Sequence, residues 1–138
     1  MNTFPVSVIT PSGKIFADNS AVKLSVRTQA GQIQVLANHT PLVSVLKIGQ
    51  LVVETIDDEH RSAIFGGFLE VRESGEVIIL ADEAERATDI DIEQAKAAKD
   101  KTQRLMDKHN GRDAEFYQLQ SDLHKNTTRI KVGSWHRS

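Results

Sequence analysis

A chain of 138 residues with a net charge of −2 and no cysteine fits one domain, or one compact domain with an appendage. That charge excludes a polyelectrolyte binder of nucleic acid. The lack of cysteine excludes disulfides, thiolate metal sites and cysteine chemistry. No apolar run approaches the ~20 residues that a membrane-crossing helix needs. MNTFPVSVIT has neither the charged start nor the long apolar core of a signal peptide, so a soluble protein retained in the cell that makes it is expected.

The first two thirds read as β-structure. Val6–Ile9 opens a strand, and Pro11-Ser12-Gly13 turns it. Val22, Leu24 and Val26 alternate with Lys23, Ser25 and Arg27, which puts three aliphatics on one face. Gln29-Ala30-Gly31 breaks the run, and Ile33 and Val35 resume it. Leu42–Leu46 and Leu51–Ile56 are two further runs, separated near Gly49. After Asp57-Asp58 comes Ala63–Phe65, which leads into Gly66-Gly67, read as a turn or bulge. In Phe68–Arg72, Leu69 and Val71 share one face, and Phe68, Glu70 and Arg72 the other. Ser74-Gly75 turns into Val77–Leu80. Short runs at this spacing, with no helix between them, predict a β-sandwich or barrel and argue against βαβ units.

At LADEAERATDIDIEQAKAAK the chain changes character. Thr88 or Asp89 can cap a helix whose first turn holds Asp91 and Glu93. From Gln94 to Lys108 no glycine, proline or β-run interrupts it, and Asn110-Gly111 stops it. A second helix is expected from about Asp113 to Ile130, with Phe116, Leu119, Leu123 and Ile130 on one stripe. Ala95, Ala98, Thr102 and Leu105 are expected to face it. Four aliphatic or aromatic anchors make a marginal hairpin, one that must lean on the sandwich or on another protein.

Catalytic constellations are missing. There is no GxxxxGK[ST] loop, no GxGxxG after a strand and no nucleophile elbow. His39, His60, His109, His124 and His136 never pair at metal-ligand spacing. The carboxylates lie in charged, solvent-facing runs, so no acid/base pair stands out. An enzyme working alone is not expected, and neither a catalytic residue nor a metal is assigned.

Several segments resemble the epsilon subunit family of F-type ATP synthase: SVITPSGKIF, GQIQVLANHTPLV, GGFLEV and ILADEAERATDIDIEQAKAAK. Their order and spacing are similar to the family's from end to end. The resemblance implies an α+β protein in two parts: an antiparallel β-sandwich of about ten strands over 1–87, the rotor-binding domain, and an antiparallel two-helix hairpin over 88–138, the regulatory domain. It implies a non-catalytic rotor subunit of the central stalk that couples proton flow to ATP synthesis and hydrolysis. Implied partners are the gamma subunit and the c-ring, with the catalytic head of alpha and beta subunits met by the C-terminal helices. Implied location is the cell membrane, peripherally and on the cytoplasmic side, in a bacterium. The helices of the family can lie folded on the sandwich or extend and inhibit ATP hydrolysis. The partner-binding residues implied here are Gln32, Asn38, His39, Thr40 and Pro41, the loop His39–Pro41 facing the c-ring.

Two departures bear on detail. The family pattern GELGI reads Gly31-Gln32-Ile33-Gln34-Val35, which loses an acid and a glycine. Some bacterial members bind ATP through a motif like I/L-D-x-x-R-A, which here reads Ile90-Asp91-Ile92-Glu93-Gln94-Ala95. By resemblance, a weak regulatory ATP site would comprise Glu85, Asp91, Gln94, Ala95, Lys101, Lys125 and Arg129; no cofactor is required. A competing reading is a stand-alone ligand-binding β-sandwich with a nucleotide-sensing helical tail.

Overall fold

A computed structural model of the chain describes residues 2–137. Seven strands come first: β1 Phe4–Thr10, β2 Gly13–Thr28, β3 Gly31–Leu36, β4 Leu42–Thr55, β5 Glu59–Val71, β6 Val77–Ala81 and β7 Ala84–Arg86. A 3-10 turn, Ala87–Asp89, precedes helices α1 Ile92–Lys108 and α2 Ala114–Arg137. The chain divides into two compact units between Arg86 and Ala87.

The strand unit is a β-sandwich with barrel-like closure. Its strands run in the order β1-β6-β5-β4-β2-β3, with β7 beside β5 and an extra β1–β2 pairing that closes the path. One neighbour pair, β1 and β6, is parallel, from Val6 opposite Val77 to Ile9 opposite Leu80. No βαβ crossover is involved, because the four intervening strands make the connection. The strands are fewer and longer than the sequence runs suggest, since two glycine sites do not end strands. At Gly49 the chain continues through β4, and an added Cβ would lie 3.0 Å from Cβ of Arg27, so the glycine makes room for that side chain. Gly66 and Gly67 are a bend within β5, not a turn between strands. Their φ angles are +86° and +126°, and a Cβ on Gly67 would collide with the Leu80 carbonyl oxygen.

Much of the core follows the two-residue alternation, although Ser62–Phe65 of β5 and Val77–Ile79 of β6 are buried without a break. Leu24, Val26, Val35, Leu69, Val71, Val77 and Ile79 are buried in one cluster. Val22, expected beside Leu24 and Val26, is only partly buried. The β2–β4 register shifts between Ala21 and Lys23, and this bulge turns Ala21 inward in its place.

In the helical unit three expectations are corrected. The α1 cap is Asp91, in extended backbone, whose side chain accepts the Gln94 N–H; Thr88 and Asp89 are consumed by the preceding 3-10 turn. α2 continues past Ile130 to Arg137. The stripe Phe116, Leu119, Leu123 and Ile130 is only partly buried, and Leu105 is 46% exposed. Ala95 and Thr102, expected to face the second helix, are the buried residues of α1, and on α2 the buried positions are Asn126, Thr128, Val132 and Gly133. Asn126 and Thr128 satisfy their polar groups on the Asp122 and His124 carbonyls one turn back. Gly133 admits Ile90 and Ile92, since a Cβ there would lie 3.1 and 2.9 Å from their side chains. The far end of α2 thus closes on the start of α1.

Candidate functional site

The first candidate region starts at the β2–β3 turn. Thr28 closes this turn, donating from Oγ1 to the Gly31 carbonyl at 2.8 Å and accepting the Ala30 N–H at 3.2 Å. Gln32 follows on β3, opposite Arg27, with its side chain exposed. β3 pairs with β2 only, so it is a sheet edge. After Leu36 the chain turns through Asn38 at φ +65°, a left-handed conformation that asparagine tolerates. Nδ1 of His39 lies 2.7 Å from the Thr40 carbonyl oxygen. A carbonyl only accepts, so this nitrogen carries the proton. Pro41 then leads into β4.

The structure keeps Asn38, His39, Thr40 and Pro41 in one small loop. Gln32 stands apart, four residues or roughly 13 Å before the end of β3 at ~3.3 Å per residue. Beside the loop, Leu36 is 56% and Val43 66% exposed. Outward residues Val45, Phe68 and Leu80 lie directly opposite one another on β4, β5 and β6, and all three are exposed. A contiguous exposed apolar row marks a contact surface. The sequence alternation already put Phe68 on the face opposite Leu69 and Val71. The lateral match with Val45 and Leu80 needed the strand register.

The second candidate set is divided between the two units. Glu85 lies on β7, opposite Ala63, in the strand unit. The other six residues are in the helical unit. Asp91 is engaged as the α1 cap, accepting from the Gln94 N–H at 3.0 Å. Gln94 and Lys101 are two turns apart on one exposed face of α1, while Ala95 is buried. Lys125 and Arg129, one turn apart on α2, are partly buried, and Arg129 donates to Oδ1 of Asn126 at 3.0 Å. An open depression of about 430 Å³ at the start of α1 is lined by residues 88–93. Only Asp91 of the candidate set is there, with Asp89 and Glu93, a lining that opposes a phosphate.

The shifted titrating groups lie outside both sets. The Ser20 hydroxyl and N–H hold the Asp18 carboxyl below its usual range. A hydrogen bond from the Phe116 N–H, followed by that with His109, does the same for Asp113. The Glu70 carboxylate holds the Arg72 guanidinium above its usual value. Among the described residues no group of three or more histidine, cysteine, aspartate or glutamate side chains could hold a metal ion. No helix among them is long and apolar enough to cross a membrane.

Two family models match in series. The β-sandwich domain of the ATP synthase delta/epsilon chain matches residues 3–87, and its long α-helix domain matches residues 88–133. The ATP synthase epsilon chain of Lacticaseibacillus casei is 36% identical over 140 residues, which cover 98% of this chain and 96% of that one. That of Anoxybacillus flavithermus is 42% identical over 106 residues, 77% of this chain and 78% of its own. Among solved structures, a chain of the Euglena gracilis mitochondrial ATP synthase, solved with OSCP, F1 and c-ring, has the same fold. Its TM-score is 0.81 at 23% identity, covering 96% of this chain and 81% of that chain.

Proposed function

The chain belongs to the ATP synthase delta/epsilon family, and we propose from that membership that it works as a non-catalytic central-stalk subunit of a bacterial F-type ATP synthase. As part of the rotor it couples proton flow to ATP synthesis and hydrolysis, without turning over ATP itself. Its partners are the gamma subunit, the c-ring and, through the helices, the catalytic head. One observation carries this: both family domains occur in order across residues 3–133, at nearly the full length of relatives named epsilon chains.

Finer assignments rest on local features. The outward row Val45, Phe68 and Leu80 offers a stalk partner an apolar face. The loop Asn38–Pro41, with exposed Leu36 and Val43 beside it, is the segment assigned to the c-ring. Attachment to the membrane is then peripheral, through the ring and on the cytoplasmic side. The helices act as an inhibitory arm. Support for this comes from the thin apolar seam between them and from exposed Lys96, Lys101 and Arg104 on α1, which suit acidic surfaces of the head. ATP is at most a weak regulatory ligand, because Gln94 replaces an arginine and Asp91 is occupied as a cap.

The test is reassembly. The purified chain is added to an F-type complex stripped of its own epsilon chain, and the mixture is separated by size. One copy retained per complex is expected, with recovery of coupled proton pumping. Failure to bind overturns the assignment.

A further inference from the structure

We propose that Asn110-Gly111, in the turn between the two helices, is a self-modification site, where the folded chain converts an asparagine amide to an aspartate or isoaspartate carboxylate. The reaction needs the backbone nitrogen of the following residue to reach the asparagine side-chain carbon. It is favoured by a small following residue, by an N–H and an amide that no hydrogen bond holds, and by backbone outside regular structure. α1 ends at Lys108 with His109 as its C-cap. Asn110 and Gly111 follow, outside helix and strand, and both are exposed. Neither the Asn110 side chain nor the Gly111 N–H makes a hydrogen bond among the described residues. Gly111 stands at φ +89°, where glycine is the default, and a Cβ built on it would meet nothing within 4 Å. The attacking nitrogen is therefore neither engaged nor crowded.

The other four asparagines lack this combination. Asn19 is exposed, but it lies inside β2, and the Ser20 N–H donates to Oδ1 of Asp18 at 2.7 Å. Asn126 is buried in α2, and its amide donates to the Asp122 carbonyl at 3.1 Å. Asn2 and Asn38 precede Thr3 and His39, whose side chains crowd the nitrogen that must attack. Among the five, sequence and fold favour the reaction together at Asn110.

The step balances without a cofactor. The Gly111 nitrogen gives up its proton to hydroxide and bonds to Cγ of Asn110. The Cγ–Nδ2 bond breaks, and its nitrogen leaves as ammonia. Water then opens the cyclic imide. Breaking the new Cγ–N bond gives aspartate, and breaking the bond from that nitrogen to the main-chain carbonyl carbon of Asn110 gives isoaspartate. One water enters and one ammonia leaves, with nothing oxidised or reduced. Residues 108–115 carry two cations, Lys108 and Arg112, and two anions, Asp113 and Glu115, so the product leaves this turn with an excess of negative charge. The new carboxylate sits just past the end of α1, where the last carbonyls of a helix already concentrate negative charge. Isoaspartate also routes the main chain through Cβ, lengthening a turn that the 2.8 Å contact between Nε2 of His109 and Oδ1 of Asp113 spans. Both products loosen the last turn of α1. The chemistry is independent of the rotor assignment, so either can fail without the other.

The test ages the full chain in mildly alkaline buffer, once folded and once unfolded in guanidinium chloride. Peptide mass spectrometry follows amide loss at each asparagine, and an isoaspartyl methyltransferase with labelled S-adenosylmethionine counts isoaspartate. Loss should concentrate at Asn110. Its rate in the folded chain should lie within about threefold of that in the unfolded chain, as expected where local opening costs almost nothing. Isoaspartate should accumulate in the same peptide and disappear in Asn110→Gln, which keeps an amide but closes the imide ring far more slowly. An Asn110 amide that survives in the folded chain while the unfolded chain loses it overturns the site. So does loss in the folded chain that is spread evenly over Asn19, Asn38 and Asn110. Hydrogen exchange reads the consequence. Protection in the last turn of α1 should fall about two- to fivefold in the aged chain and in Asn110→Asp, the scale of one charge at a helix end. Equal protection before and after ageing overturns the loosening.

Discussion

The two units of this chain are built to different standards of packing. In the sandwich, Leu24, Leu51, Ile64, Leu69, Ile79 and a set of valines are fully buried. In the helical unit the large aliphatics buried to that degree are Ile90 and Val132, while its other buried positions hold Ala87, Ala95, Thr102, Asn126, Thr128 and Gly133. The sandwich is a part whose shape is over-determined by contacts. The helical pair is held by small residues, caps and a turn, and local opening should begin there. A rigid rotor contact joined to a labile arm is the division of labour proposed above.

Core truncation should break this comparison most sharply. Leu69→Ala removes a fully buried side chain from the sandwich and should cost about 2–5 kcal/mol. Leu105→Ala, at an exposed site on α1, should cost less than about 0.5 kcal/mol. Urea denaturation followed by far-UV circular dichroism reads both. Similar losses would mean that the two units are equally well packed. Removal of residues 88–138 extends the same contrast. The remaining sandwich should stay folded and still join the complex, and hydrolysis by that complex should rise. An aggregated fragment, or unchanged hydrolysis at low salt, would count against it.

Much of the strand unit was legible in the sequence, because alternation is a local signal that one buried face imposes. The division of Leu69 and Val71 from Phe68 and Arg72 onto opposite faces came directly from it. The misreadings came from nonlocal causes. Gly49 and Gly66-Gly67 look like breaks in one dimension. In three dimensions they are places where Arg27 or the β6 backbone comes close. Val22 was misplaced because a bulge depends on the partner strand's register. On the helices the small residues Ala95 and Thr102 of α1 were read from the sequence, and only the α2 side was misplaced. The Phe116–Ile130 stripe assumed that large apolar residues take the inside, whereas Asn126, Thr128, Val132 and Gly133 do. The proposed partner role of the loop Asn38–Pro41 rests on family likeness, since a polar loop has no pattern of its own.

Nucleotide affinity tests how far the helical unit departs from family members with the full motif. An arginine at position 94 would supply a charge-assisted hydrogen bond that glutamine cannot. Such a bond is worth about 1.5–3 kcal/mol, or roughly ten- to a hundredfold in affinity. Gln94→Arg should therefore tighten ATP binding to the isolated chain by at least about tenfold, read by calorimetry. Tight binding by the unmodified chain, or no gain in the variant, would remove the motif argument. The cap offers a smaller probe of the same unit. Asp91→Ala loses the acceptor for the Gln94 N–H and should destabilise the helices by about 1 kcal/mol while leaving the sandwich midpoint unchanged.

The smallest expected change in stability comes with the most specific functional one. His39 sits in the loop before β4, and its ring contact is local, to the carbonyl of the next residue. Replacement by glutamate removes one donor at the surface of a sandwich whose core lies elsewhere. The denaturation midpoint should move by no more than about 0.5 kcal/mol in equivalent terms. At the proposed c-ring contact, however, an added negative charge must be desolvated against a partner that met a loop without an acid. Proton pumping by reconstituted vesicles carrying His39→Glu should fall relative to ATP hydrolysis. His39→Gln, which keeps a donor for the Thr40 carbonyl, should retain most of it. If both variants pump as the unmodified chain does, the loop is not at the ring. If both lose stability together, the loop is part of the rigid unit, and the boundary between fold and contact surface must be drawn further out.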